Sequence, residues 1–124
     1  MGVMSHATVG TNRLEEAIAF YDDLLVGIGL TVFGSHPRGG RMYMKDGKLN
    51  FAVLKPADGE AATVGNGTMI AFTFDTRAEV DAFHARILAL GGTDAGAPAV
   101  RGPNWYFAYG RDLDGNKLCG FTVN

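Results

Sequence analysis

"HATVGTNRLEEAIAFYDDLL", residues 6–25, and "MIAFTFDTRAEVDAFHARIL", residues 69–88, decide the fold, because they are one pattern written twice. Laid over each other without gaps, His6 falls on Met69, Asn12 on Asp75, Glu16 on Glu79, Ala19 on Ala82, Phe20 on Phe83 and Leu25 on Leu88. Each stretch opens on a short strand-like run and continues into a helix. In the first, Leu14, Ala17, Ile18, Tyr21, Leu24 and Leu25 recur at helical spacing and make one apolar face. Asn12 with Glu15 reads as a capping box, and Gly27 and Gly29 as the stop. In the second, Val80, Phe83, Ile87 and Leu90 carry the face, Thr76 and Glu79 form the box, and Gly91 and Gly92 end the helix.

Working outward, each helix is followed by β-like segments that close around an Asp-Gly pair, "KDGKLNFAVL" at residues 45–54 and "LDGNKLCGFTV" at residues 113–123. Asp114-Gly115 reads as a tight turn, since Gly supplies the positive φ such a turn needs. Matching the two turns puts Leu49 on Leu118 and Asn50 on Cys119. Each half therefore reads strand, helix, three strands. The expected fold is α+β: two βαβββ modules with pseudo-twofold symmetry, curved mixed sheets enclosing a concave cleft, and helices outside. It is read as a single domain over residues 1–124, with modules at about 4–56 and 68–124. The stretch "KPADGEAATVGNG", rich in small residues, supplies a linker over about residues 57–67.

The 124 residues carry a net charge of −2, which gives no reason to expect a nucleic-acid or anionic-membrane surface. With a single cysteine no intrachain disulfide can form, so a reducing cytoplasm is the expectation. No secretory signal pattern and no apolar run long enough to span a bilayer is visible. No GxGxxG fingerprint opens a helix after a strand, and no basic aromatic platform for single-stranded nucleic acid is present.

Alternate strand residues face opposite ways. Ile70, Phe72 and Phe74 should pack under their helix, as should Ala7 and Val9 under theirs. His6, Thr8, Met69, Ala71 and Thr73 then face the other way. By the repeat, His6, Asn50, Met69 and Cys119 take equivalent positions on that second face, where a metal or ligand site would be built. In "GPNWYFAYGR", Trp105, Phe107 and Tyr109 share one strand face and Tyr106 and Ala108 the other. One stripe faces the core and the other the concavity, as an aromatic wall for a ligand or as ordinary sheet packing; the sequence leaves open which stripe faces in. In "GSHPRGGR", Arg38 and Arg41 flank His36 and could clamp a carboxylate or phosphate, against the reading of a solvated loop. His84 takes the place of Tyr21 on its helix and reads as a packing residue. Cys119 is either an activated thiolate or a small buried apolar group, and the second is expected among its neighbours Phe121 and Val123.

Three pieces, "SHATVGTNRLEEAIAFYDDLL", "GNGTMIAFTFDTRAEVDAFHARILALGG" and "WYFAYGRDLDGNKLCG", resemble the vicinal oxygen chelate superfamily. That superfamily takes in glyoxalase I, bleomycin-resistance proteins, fosfomycin-resistance enzymes and extradiol dioxygenases. Its members start like "HvtigvsDlerAiaFYd", carry "GthiAF" mid-chain and close like "RDPDGNkiE". The resemblance implies two βαβββ modules and commonly a homodimer. In metal-dependent members the ligands are His, Glu or Gln on the first and last strands of each module. His6 matches the first ligand position and Asn50 stands at or next to the second. Met69 stands where His is usual, Cys119 where Glu is usual, and Leu113 where the turn usually has Pro.

This set disfavours the ordinary site, since zinc or nickel in such enzymes wants imidazole nitrogens and carboxylate oxygens. Copper sites built of His, Cys and Met normally take a second His, which Asn50 does not supply. The expectation is a protein that binds a small organic molecule through His6, Thr8, Asn50, Met69, Trp105, Tyr109, Cys119 and Arg41, with no metal and no other cofactor. No catalytic residue is assigned. The alternative is a metal-dependent lyase or isomerase resembling lactoylglutathione lyase, or a related dioxygenase, in which the metal polarises a carbonyl and a carboxylate moves a proton. The loss of Glu at Cys119 removes both a ligand and a base from that scheme.

Overall fold

The computed structural model describes residues 1–124, in two compact units, Met1–Thr63 and Val64–Asn124. The first runs β1 (Ala7–Gly10), α1 (Leu14–Val26), β2 (Thr31–Ser35), β3 (Gly40–Lys45) and β4 (Lys48–Leu54). The second runs β5 (Ile70–Thr73), α2 (Arg77–Ala89), β6 (Thr93–Val100), β7 (Tyr106–Arg111) and β8 (Lys117–Thr122). Both are βαβββ modules, as the repeat implied. Each makes a four-stranded mixed sheet, ordered β1-β4-β3-β2 and β5-β8-β7-β6. The first strand of each pairs in parallel with the last, and the remaining ladders are antiparallel.

In the first module the apolar stripe of α1 explains the core. Ala17, Phe20, Tyr21, Leu24 and Leu25 are buried against Val9, Tyr43, Phe51 and Val53. Tyr21 lies edge-on to Phe20 at 5.0 Å and against Phe51 at 4.9 Å. Each such side chain contributes about 1.5–3 kcal/mol by leaving water. The start of α1 corrects the expected capping box. Arg13, not Asn12, is the N-cap, and no side chain caps the helix. Asn12 instead pairs with the backbone of Ala62, donating to its carbonyl at 2.9 Å and accepting from its N–H at 2.7 Å.

In the second module α2 packs on β6, β7 and β8 through Val80, Phe83, His84 and Ile87. Here the capping box forms: Glu79 N–H donates to Thr76 Oγ1 at 3.2 Å and Thr76 N–H to Glu79 Oε1 at 3.1 Å. The helix lies close to its sheet because two strand positions lack side chains. A Cβ at Gly110 would stand 2.9 Å from Ile87, and one at Gly120 would stand 2.9 Å from the ring of Phe83. His84 is a buried packing residue tied through Nε2 to Asp94 Oδ1 at 2.9 Å. That bond, with a second from Gly96 N–H, holds the Asp94 carboxyl below its usual range. Pro98 sits in β6, at the edge of the sheet and within an irregular stretch of the ladder, where its missing N–H is tolerated.

The two Asp-Gly turns differ. Asp46 and Gly47 both have positive φ, 52° and 76°, as a two-residue hairpin requires. Asp114-Gly115 belongs to a five-residue connection, 112–116, built on Asp112. Its Oδ1 accepts from the N–H groups of Asp114 and Asn116, and its Oδ2 from the Asn116 amide, all at 2.9 Å.

Candidate functional site

The ladder register settles which stripe of β7 faces which way. On β8, Leu118, Gly120 and Thr122 pair with Gly110, Ala108 and Tyr106. These lie on the side of α2, where Gly110 meets Ile87, Gly120 meets Phe83, and Tyr106 hydroxyl donates to Asp81 Oδ1 at 2.5 Å. The opposite face therefore carries Phe107, Tyr109 and Arg111 from β7, their partners Phe121, Cys119 and Lys117 from β8, and Ala71 and Thr73 from β5. Trp105 continues the aromatic stripe and is 49% exposed.

The rings on this face form an ordered array. Phe107 stacks with Phe121 at 4.8 Å and lies parallel to Tyr109 at 5.9 Å, with 8° between the planes. Trp105 meets Phe107 edge-on at 6.3 Å. Two cations approach Tyr109, the Arg101 guanidinium at 5.0 Å and the Lys117 ammonium at 4.7 Å from the ring centroid. Arg101 is braced by main chain, donating to the carbonyls of Phe107 and, at 2.8 Å, Ala97. Beside Lys117 opens a cavity of about 630 Å³, lined by Val64–Met69 together with Arg111, Gly115 and Lys117.

Cys119 lies on this face but beneath its surface. It is 0% exposed, flanked in register by Ala71 and Tyr109. Burial pushes its thiol up to about 11, against the smaller opposing pull of Lys117 and Arg101. A protonated, enclosed thiol is a packing group and not a nucleophile at neutral pH. The expectation that Cys119 lines the surface is thus corrected: it underlies the surface. Met69 immediately precedes β5, is 40% exposed and belongs to the cavity wall.

The other sequence-derived residues lie in the first module. His6 precedes β1, is exposed and shares a 2.9 Å hydrogen bond between Nδ1 and Ser5 Oγ. Thr8 pairs with Ala52 in the parallel ladder. Asn50 lies at a bulge: Tyr43 pairs with Phe51 and Met44 with Leu49, leaving Asn50 as the extra residue. This changes the repeat match. Ala7 pairs with Phe51 as Ile70 pairs with Leu118, and Thr8 with Ala52 as Ala71 with Cys119. The counterpart of Cys119 is Ala52, 2% exposed, and through the ladder Leu49 corresponds to Lys117, with Asn50 inserted between Leu49 and Phe51. Arg41 turns to the helix side, where it pairs with Asp22 of α1 at 3.4 Å. Asp22 also accepts from the Tyr43 hydroxyl at 2.7 Å, which together with burial pushes that phenol well up. Arg38 donates to the Lys55 carbonyl at 3.3 Å and borders two adjoining shallow cavities of about 430 and 420 Å³ beside residues 55–63. Sequence reasoning passed over Lys117 and Arg101. Alternation from Cys119 was enough to place Lys117 on its face; nothing in the pattern announced that the Arg101 side chain folds back over Tyr109.

The family model described as Glyoxalase/Bleomycin resistance protein/Dioxygenase superfamily matches residues 3–119. The chain belongs to that superfamily. A glyoxalase/bleomycin resistance protein from Albidiferax ferrireducens T118 is 37% identical, with 95% of this chain and 96% of that one covered and a TM-score of 0.86. A lactoylglutathione lyase from Agrobacterium tumefaciens is 19% identical over 98% of this chain and 93% of its own, with a TM-score of 0.71. A fosfomycin resistance protein from Listeria monocytogenes is also 19% identical over 98% and 93%, at a TM-score of 0.72. At that identity the last two show the shared fold alone. Among curated proteins, none matches the chain by sequence.

The superfamily resemblance raises a divalent metal, and the donors present do not fit the usual one. Of the positions expected to ligate, Asn50 offers a neutral amide, Met69 a thioether, Cys119 a buried thiol held protonated, and only His6 an imidazole; Ala52, the structural counterpart of Cys119, has no donor atom. Within neither module do three His, Cys, Asp or Glu side chains gather as a metal would need.

Proposed function

We propose that this superfamily member binds a small organic molecule on the strand face of its second module that α2 leaves open, without the divalent metal of its metal-dependent relatives. The observation that carries the reading is the half-buried aromatic array of Phe107, Tyr109 and Phe121 with Trp105 at its end and a 630 Å³ cavity beside it. A cavity of that size beside apolar rings and a few placed polar groups is what a small-molecule site requires. The lyase reading needs a carboxylate as ligand and base, and the side chain at that place is Cys119. We also propose a homodimer, supported by the free outer edge of β2, whose Val32 and Phe33 are 39% and 58% exposed.

One purified sample tests the reading. Intact mass under non-denaturing conditions should show a dimer carrying a small organic adduct, and elemental analysis should find no stoichiometric metal. Near one equivalent of zinc, nickel, iron or copper per chain would overturn the metal-free reading. A bare monomer that retains no organic adduct and takes up none from a cell extract would overturn the rest.

A further inference from the structure

We infer that the molecule bound on this face is a planar aromatic anion, with its ring on the Phe107–Phe121 array and its charge met by Lys117. The inference rests on the reading above and names the ligand chemistry that reading leaves open. Three observations lead to it.

The first is the sign of the charge. Lys117 and Arg111 are register partners on the open face, and Arg101 reaches over the same face to Tyr109. No strand residue of that face is acidic. Phe107, Tyr109, Cys119, Phe121, Ala71 and Thr73 lie on it, with Thr93, Gly96 and Ala99 of β6 opposite Arg111, Tyr109 and Phe107. Four carboxylates of this module are engaged elsewhere. Asp112 organises its own loop, Asp81 accepts from Tyr106, Glu79 caps α2, and Asp94 is held by His84 on the helix side. Arg101 is within electrostatic reach of Asp94, but that carboxylate already accepts from His84 and Gly96. The cations thus stand together on a chain whose net charge is −2.

The second is which cation is available. Arg101 donates to two carbonyls and Arg111 to the Gly115 carbonyl at 2.9 Å. Lys117 makes no ion pair; its ammonium lies over the Tyr109 ring and borders the cavity. A half-buried ammonium with only a π face for company is ready to take an anionic oxygen.

The third is shape. Phe107 and Tyr109 are parallel within 8°, and Phe107 and Phe121 within 23°. Parallel rings present a flat surface, which favours a flat partner over a branched aliphatic one.

The test uses the full chain and four probes: 2-naphthoate, 2-naphthylmethanol, 2-naphthylmethylammonium and cyclohexanecarboxylate. Calorimetry measures affinity, and the indole N–H resonance of Trp105, the single tryptophan, locates binding. Naphthoate should bind saturably, shift that resonance, and exceed the alcohol and the cyclohexane acid by about tenfold or more. Lys117→Gln, with an unchanged melting midpoint, should erase the preference of acid over alcohol, and Lys117→Arg should keep it. If the alcohol or the ammonium binds as well as naphthoate, or Lys117→Gln keeps the preference, the anion assignment is wrong while the face remains a binding surface. If no probe saturates below about 10 mM, a Kd too weak for a built site, both the inference and the reading beneath it fail.

Discussion

Tyr21 on α1 and His84 on α2 hold the same place in the repeat, and they secure their modules by different means. Tyr21 is wholly enclosed among Phe20 and Phe51, on a helix whose buried face is otherwise aliphatic and aromatic. His84 is buried too, but it reaches through a polar bond to Asp94 on the edge strand, and α2 adds a capping box that α1 lacks. At this one place the topology is thus held by ring packing in one module and by packing with a polar bond in the other; the first module makes its own polar ties between helix and sheet elsewhere, from Tyr43 and Arg41 to Asp22. The open faces diverge further: Thr8, Ala52 and the bulged Asn50 in the first module, aromatic rings and cations in the second. A duplicated backbone tolerates this because the ladders depend on main chain, leaving side chains on each face free to specialise.

The sharpest way to break the comparison is to truncate both members of the pair. Tyr21→Ala should cost about 3–5 kcal/mol in urea unfolding, since it empties the centre of a closed core. His84→Ala should cost about 1–2 kcal/mol, the worth of a bond and partial packing. Equal losses would mean that the modules are secured alike.

Next in size is the contrast between Cys119 and its counterpart Ala52. The folded chain holds the Cys119 proton up to about 11, whereas an unfolded chain releases it near 8.5. The contribution is therefore intact below pH about 8.5 and is lost as pH rises toward 11, amounting to roughly 3 kcal/mol. Cys119→Ala makes the second module match the first at this place and should flatten that alkaline limb. The wild-type thiol should also react slowly with iodoacetamide at neutral pH. Rapid labelling of folded protein would contradict the burial argument.

The smallest expected difference lies at the helix starts. Thr76→Ala removes a formed cap and should cost about 1 kcal/mol, while Arg13→Ala removes none and should stay within about 0.5 kcal/mol. Thermal midpoints of the two variants measure this, and a larger loss at Arg13 would show that α1 is capped by another route.

Much of this was legible in the chain. The ungapped match of residues 6–25 to 69–88 specified both helices and the strands before them, because helical spacing and the apolar runs are local signals. The last strand of the first module was misplaced by two residues. The bulge at Asn50 inserts a residue, and the turns differ in length, so aligning Lys48-Leu49 after one turn with Lys117-Leu118 after the other slid Asn50 onto Cys119. A two-residue slip keeps the side-chain face and moves the position about 7 Å along the strand. That is why Cys119 keeps its open face although its counterpart is Ala52, while Leu49, beyond the bulge, leaves the stripe of Phe51 and Val53 on which simple alternation sets it. Asn12 looked like a cap because its type suits one; its real partner, Ala62, lies fifty residues away in sequence. Arg41 was set beside the ligand on charge alone, and only the ladder shows it turned toward Asp22.

The bare positions under α2 have a consequence for how this sequence can drift. At Gly120 any side chain would press on the face of Phe83, and at Gly110 on Ile87. Neither glycine is held by an unusual backbone angle, so the constraint is purely one of space shared with a named neighbour. Such positions are free to change only in company. Gly120→Ala becomes acceptable once Phe83 shrinks to Leu, and Gly110→Ala once Ile87 shrinks to Val, each exchange returning the volume it takes. Among descendants of this chain, the two pairs should therefore behave as linked characters, substituted together or not at all.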